Sequence, residues 1–166
     1  PRSTRCGRTC VPAEERNAEL VSVEQVPRRG RRIGIDVGSV RVGVALSDPD
    51  GLIATPLVTV PRDVEGGTDV VAVAALVAEH EAVGVVVGLP RTLAGREGPA
   101  AEAARVFVAA LEPALAVPVE LSDERLTTVV ATRQLRESGR KGRKQRAVVD
   151  QVAAVGILQG WLDRHR

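Results

Sequence analysis

Four carboxylates stand where their surroundings give them no obvious reason to be. Asp36 falls inside Ile33-Gly34-Ile35-Asp36-Val37-Gly38, a strand-like alternation in which Asp is disfavoured and the neighbouring glycines leave space beside it. Asp123 and Glu124 follow the apolar run Val117–Leu121, at the end where a parallel sheet presents its ligands. Asp150 interrupts Ala147-Val148-Val149-Asp150-Gln151-Val152-Ala153-Ala154-Val155, a stretch apolar on nearly every helical face. An ionised carboxylate in such places needs a partner. If they converge, each pair ~4 Å apart repels by about 4 kcal/mol at an effective dielectric of 20. Hard divalent cations relieve that repulsion, and Mg²⁺ or Mn²⁺ suits a site that substrate phosphates complete. Two such ions roughly 3.5–4 Å apart activate water and stabilise the leaving oxygen in phosphodiester cleavage. The histidines, His80 and His165, are remote in sequence from this set, and zinc chemistry is not supported. Simpler roles exist for each acid: a polar edge position for Asp36, a helix cap for Asp123 or Glu124, and an ion pair with Arg146 one turn back for Asp150.

Positioning these residues takes a mixed sheet. Ile33–Leu46 reads as a β-hairpin broken at Gly38-Ser39, and Leu52–Val60 as a third strand held to an edge by Pro56. Thr68 is the predicted N-cap of a helix over Asp69–Glu81, with Val70, Val73, Ala74 and Val77 inward. Val83–Gly88 is a continuous apolar run, as in a strand buried on both faces of a sheet. A Gly/Pro-punctuated loop follows, then a helix over Ala100–Leu111 with Ala103, Val106, Phe107 and Ala110 inward. Val117–Leu121 is the fifth strand, Thr128–Ser138 a helix ending at Gly139, and Gln145–His165 a long helix buried on all sides. The expected fold is α/β, with three antiparallel strands, two further parallel ones, and helices on both faces.

Composition narrows the class. The 166 residues suit one domain, with 44% hydrophobic and 27% charged residues. No run approaches the ~20 apolar residues of a membrane span, and the start lacks the apolar core of a secretion signal. Cys6 and Cys10, the only two cysteines, make neither a disulfide framework nor a zinc set. A cytoplasmic protein is expected. Residues 1–32 hold eight Arg against four Glu, leaving 15 basic and 17 acidic residues for the remainder. The predicted division is a disordered basic leader over 1–31 and one folded domain over 32–166. Phe107 and Trp161 are the only Phe, Tyr or Trp residues, which disfavours rows of stacked bases.

Basic residues mark where a polyanion would lie. From Arg133 to Arg146 there are seven, including Arg140, Lys141, Arg143, Lys144 and Arg146, against Glu137 alone. A run of this kind is often only a solvated face. Here it joins two acidic stations of an otherwise negative domain, as phosphate contacts around a metal site would. Arg125 follows the second station, and Arg91 and Arg96 lie in the loop Gly88–Gly98 after the central strand.

Ile33-Gly34-Ile35-Asp36-Val37-Gly38, Val87-Gly88-Leu89-Pro90, Asp123-Glu124-Arg125-Leu126-Thr127-Thr128 and Val149-Asp150-Gln151-Val152-Ala153-Ala154 together resemble the motifs of the YqgF-type, or RuvX-like, proteins. The resemblance covers about residues 31–166. It implies a ribonuclease H-like fold and the activities ascribed to that family, pre-16S rRNA processing and Holliday junction resolution. It further implies Asp36, an acid of Asp123-Glu124, and Asp150 as metal-binding catalytic positions, with the Gly88–Gly98 loop at the site.

The expected function is therefore a divalent-metal nuclease acting on structured nucleic acid, with pre-16S rRNA 5′-end processing first. Resolution of branched DNA by a homodimer is the alternative within that class. A non-catalytic nucleic-acid-binding protein is the alternative outside it. An actin-like or sugar-kinase-like ATPase shares the Gly-x-Asp-x-Gly strand, but needs a second such domain that this chain lacks.

Overall fold

The alternation in the first motif folds into a tight hairpin. Strand β1 (Arg32–Val37) pairs antiparallel with β2 (Arg41–Ser47), setting Asp36 opposite Gly43 and Gly34 opposite Ala45. The Gly38 N–H closes the turn on the Arg41 carbonyl at 2.9 Å. The structure is a computed structural model that describes residues 29–90, 98–123 and 143–165, with only the backbone over 143–149. Strand β3 (Ala54–Pro61) forms one edge beyond β2. Pro56 sits there beside a register shift at Val44/Ala45, where a missing N–H does least harm.

Helix α1 (Thr68–Glu79) leads to β4 (Gly84–Leu89), which lies parallel to β1. Helix α2 (Pro99–Leu111) and a 3₁₀ turn over Glu112–Ala114 lead to β5 (Val119–Asp123), parallel to β4. The order β3-β2-β1-β4-β5 is the expected mixed five-stranded sheet. Helix α3 (Arg143–Arg164) follows.

Side-chain parity divides the sheet between two cores. Ile33, Ile35 and Val37 of β1 join Val85 and Val87 of β4 against Val73 and Val77 of α1 and Phe107 and Leu111 of α2. On the opposite face Ala45 and Val86 meet Ala153, Ala154, Ile157, Leu158 and Trp161 of α3. Small residues there let the helix approach closely: a Cβ on Gly34 would stand 2.5 Å from the Leu158 Cβ. Among the described residues no helix is long and apolar enough to cross a membrane.

Several local expectations shift. Gly67, in the left-handed region at φ 67°, caps α1 in place of Thr68. The Thr68 hydroxyl and N–H instead donate to the Asp63 carboxylate, 2.6 and 3.3 Å away. Helix α2 buries Ala101, Ala104, Phe107, Val108 and Leu111, while Val106 is 54% exposed and Ala110 is also exposed. Alanines weigh almost equally on either face, so Phe107 was the one secure guide to the phase of that helix. Val152 is 50% exposed, so α3 is covered on one side among the described residues rather than all round. The expected helix over 128–138 and nearly all of the basic leader lie outside the described residues.

Candidate metal site at the carboxyl end of the sheet

Asp36 is the penultimate residue of β1 and only 2% exposed. It shares parity with Gly34, whose open side is filled by α3, so Asp36 also faces α3. Its cross-strand partner Gly43 faces the same way. A Cβ on Gly43 would lie 2.1 Å from the Asp150 main-chain oxygen and 3.3 Å from the Asp150 Cβ. Glycine at 43 is thus what admits Asp150 to the sheet beside Asp36. Two acids distant in sequence meet on one face, near the carboxyl end of β1.

Arg41 is the neighbour of the candidate site that the sequence reading missed. Its Nη1 lies 3.5 Å from Asp150 Oδ2, both side chains being about one-fifth exposed. Asp150 was expected to meet a metal or Arg146; a cation from β2 lies beside it, and the Arg146 side chain lies outside the described residues. The signal was available: Arg41, Gly43 and Ala45 share one strand face, so the face that receives Asp150 also carries a guanidinium.

Asp123 closes β5 opposite Leu89, and parity sets it with Val119 and Leu121. Glu120 and Ser122 are the β5 residues that meet α3, accepting hydrogen bonds from Trp161 Nε1 at 3.0 Å and Arg164 Nη2 at 2.6 Å. Asp123 therefore belongs to the sheet face away from Asp36. Glu124, Arg125, Arg91, Arg96, Arg140 and Lys141 lie outside the described residues. Arg143, Lys144 and Arg146 lie in the opening turns of α3, the end of the helix that also carries Asp150, with only their backbone described.

Among the described residues no three His, Cys, Asp or Glu side chains form a metal-holding group. The described donors are two carboxylates on one face, joined by neither sulfur nor imidazole. Oxygen donors of this kind fit a hard divalent cation.

The chain has relatives among known proteins. Residues 30–164 match the sequence profile of the family described as "RuvX: Holliday junction resolvase". A protein of Rhodococcus erythropolis (strain PR4 / NBRC 100887) named "Putative pre-16S rRNA nuclease" is 61% identical over 141 residues, covering 82% of this chain and 80% of that protein. A protein of Mycobacterium sp. (strain KMS) bearing the same name is 63% identical over 141 residues, covering 84% and 83%. Among solved structures, T. thermophilus RuvC in complex with Holliday junction substrate superposes with a TM-score of 0.47 at 15% identity, covering 81% of this chain and 95% of that one. With a profile match across both acid-bearing elements and relatives above 60% identity, this chain belongs to the RuvX family.

Proposed function

We propose that the chain is a divalent-metal-dependent nuclease that cleaves phosphodiester bonds at the 5′ end of pre-16S rRNA. The observation that carries this reading is the meeting of Asp36 and Asp150 across Gly43, on the face and at the sheet end where ligands of α/β proteins gather. The names of the relatives above 60% identity supply the substrate. Asp36 and Asp150 would hold the cation, and Glu124 is proposed as the third acid because the parity of β5 turns Asp123 away from that face. A bound Mg²⁺ or Mn²⁺ supplies a water of lowered pKa and neutralises charge on the leaving oxygen. The chain's own part is to fix carboxylates on a strand and a helix that cannot move independently, because main chain touches main chain at Gly43. Arg41 balances Asp150 before the cation enters. Arg91, Arg96, Arg125 and the basic run through Arg146 are proposed to hold the phosphates flanking the cut.

The family's description favours a second reading, cleavage of a four-way DNA junction by a homodimer presenting two sites. Incubating the protein with a pre-16S rRNA fragment and with a four-way junction, each with Mg²⁺ or Mn²⁺, separates the two. Metal-dependent cutting of the rRNA that Asp36→Asn abolishes upholds the proposal. Cutting confined to the junction replaces it with the second reading. Binding without any cutting leaves a nucleic-acid-binding role only.

A further inference from the structure

A concave site lies between the outer edge of β5 and the end of α3. It is a cleft of about 500 Å³, bordered by Glu120, Ser122, Asp123, Trp161, Arg164 and His165. That volume falls within the range of small-molecule pockets. One wall is a stack of planar groups. The His165 ring lies 4.0 Å from the Trp161 ring at 14°, and the Arg32 guanidinium lies 4.8 Å from the Trp161 ring centroid. Both groups pack against the indole.

The stack is fixed on several sides. Trp161 Nε1 donates to Glu120 Oε2 at 3.0 Å. His165 Nδ1 is 2.8 Å from the Trp161 carbonyl oxygen, which can only accept, so Nδ1 carries the hydrogen. That leaves Nε2 as an acceptor, or as a second donor when the ring is protonated. Trp161 is 6% exposed, whereas His165 is exposed, so the stack presents the imidazole as its outermost layer. Beside it Arg164 is oriented by its 2.6 Å bond to Ser122 Oγ, with further guanidinium N–H groups to offer.

We infer that this cleft takes one unpaired purine nucleotide of the substrate strand, its base stacked on His165 and its phosphate on Arg164. The inference rests on the nuclease reading above. It is one station rather than a row of platforms, in keeping with a chain so poor in aromatic residues. Its mouth at Asp123 lies at the same end of the sheet as Asp36, because β1, β4 and β5 run parallel. His165 lies fifteen residues beyond Asp150 along α3, roughly 22 Å at 1.5 Å per residue, so the cleft takes a nucleotide several positions from the cut and not the one beside it. A purine offers the larger π face, and its amino group can meet the carboxylates of the lining.

Trp161 is the only tryptophan, so its fluorescence reports this cleft alone. The test uses full-length Asp36→Asn protein without metal, titrated with ApApA, with UpUpU and with a blunt RNA duplex. ApApA should quench Trp161 saturably, with UpUpU at least fivefold weaker and the duplex silent. His165→Ala should weaken ApApA binding about tenfold or more, and His165→Phe should restore it. Absence of quenching, or quenching unchanged in His165→Ala, overturns the inference. The same Asp36→Asn protein is tested for retention of a pre-16S rRNA fragment by gel shift. Retention without quenching removes the cleft and leaves the nuclease reading standing, whereas loss of both removes both.

Discussion

The main-chain oxygen of Asp150 stands 2.1 Å from the point a Cβ on Gly43 would occupy. No rotamer change relieves such a contact, because the obstructing atom is backbone. Gly43→Ala should therefore push α3 off β2 and draw Asp150 away from Asp36. Overpacking of this kind costs about 1–3 kcal/mol, and misplacing a reacting group by about 1 Å costs roughly 100-fold in rate. Gly34→Ala, whose Cβ would meet Leu158 Cβ at 2.5 Å, serves as the comparison at the same helix but further from the acids. Thermal melts and cleavage per folded molecule should show similar destabilisation in the two variants, with the larger rate loss at Gly43. Equal rates would mean that the approach of α3 does not set the site.

Asp36→Asn and Asp150→Asn should each lower metal-dependent cleavage by about 100-fold or more. Asp36→Asn removes a buried charge, and Asp150→Asn gives up only a partly solvated pair with Arg41, so neither should melt far below the wild type without metal. The wild type should gain about 2.7 kcal/mol of stability when Mg²⁺ is present at a hundred times its Kd, and the variants should gain little. A large loss of stability in both metal-free variants would make these acids structural.

On the proposed reading, a divalent cation would compete with Arg41 for the same Asp150 oxygen, given the 3.5 Å approach of Nη1 to Oδ2. Arg41→Ala should tighten Mg²⁺ binding measured by calorimetry. Its cost to the metal-free protein should be at most ~1 kcal/mol, since the pair is partly solvated. Weaker Mg²⁺ binding in the variant would instead show that Arg41 holds Asp150 in place for the ion.

The hairpin, the edge position of Pro56 and the buried run at β4 were legible because period-two patterns and a proline carry their own physical reasons. Asp36 and Asp150 were legible as acids in apolar settings, although the contact that unites them was not. That contact depends on Gly43, which in sequence is only another strand glycine. Its meaning comes from standing opposite Asp36 and under α3. Asp123 and Glu124 are inseparable in sequence; the register of β5 gives Asp123 a face, and Glu124 lies outside the described residues. The phase of α2 was misjudged because it is rich in alanine, so one phenylalanine had to orient the whole helix.

Asp69 carried no sequence signal beyond opening a helix, yet it is 1% exposed and bonded through Oδ2 to Arg62 Nη1. The Arg62 guanidinium also lies 5.1 Å from the centroid of Phe107. Removing one partner strands the other charge in the core that joins α1, α2 and the sheet. Asp69→Ala should cost about 3–5 kcal/mol, whereas replacing both partners by apolar residues of similar volume should cost far less. Denaturant unfolding of the two single variants and the double variant reads this directly. Cleavage per folded molecule should remain near wild type in all three, since the pair lies on the sheet face away from Asp36.

Acid should weaken the fold partly through Asp48 and Asp63, both held below the usual carboxylate range. For Asp48 the main cause is the Ile53 N–H, with the Leu52 N–H assisting, at 2.8 and 2.6 Å from Oδ1. For Asp63 it is the Thr68 hydroxyl, followed by the N–H groups of Gly66 and Thr68. In the unfolded chain an Asp titrates near ~3.9, so on acidification the unfolded state takes up these protons first. The stabilisation is full above that value and disappears as pH falls through the lower folded pKa values. Asp63→Asn removes one such carboxylate from the pH dependence. Urea unfolding between pH 6 and pH 2.5 should give a shallower acid limb for the variant than for the wild type. Parallel limbs would show that the Asp63 turn, which leads the chain into Gly67 and α1, contributes no proton-linked stability.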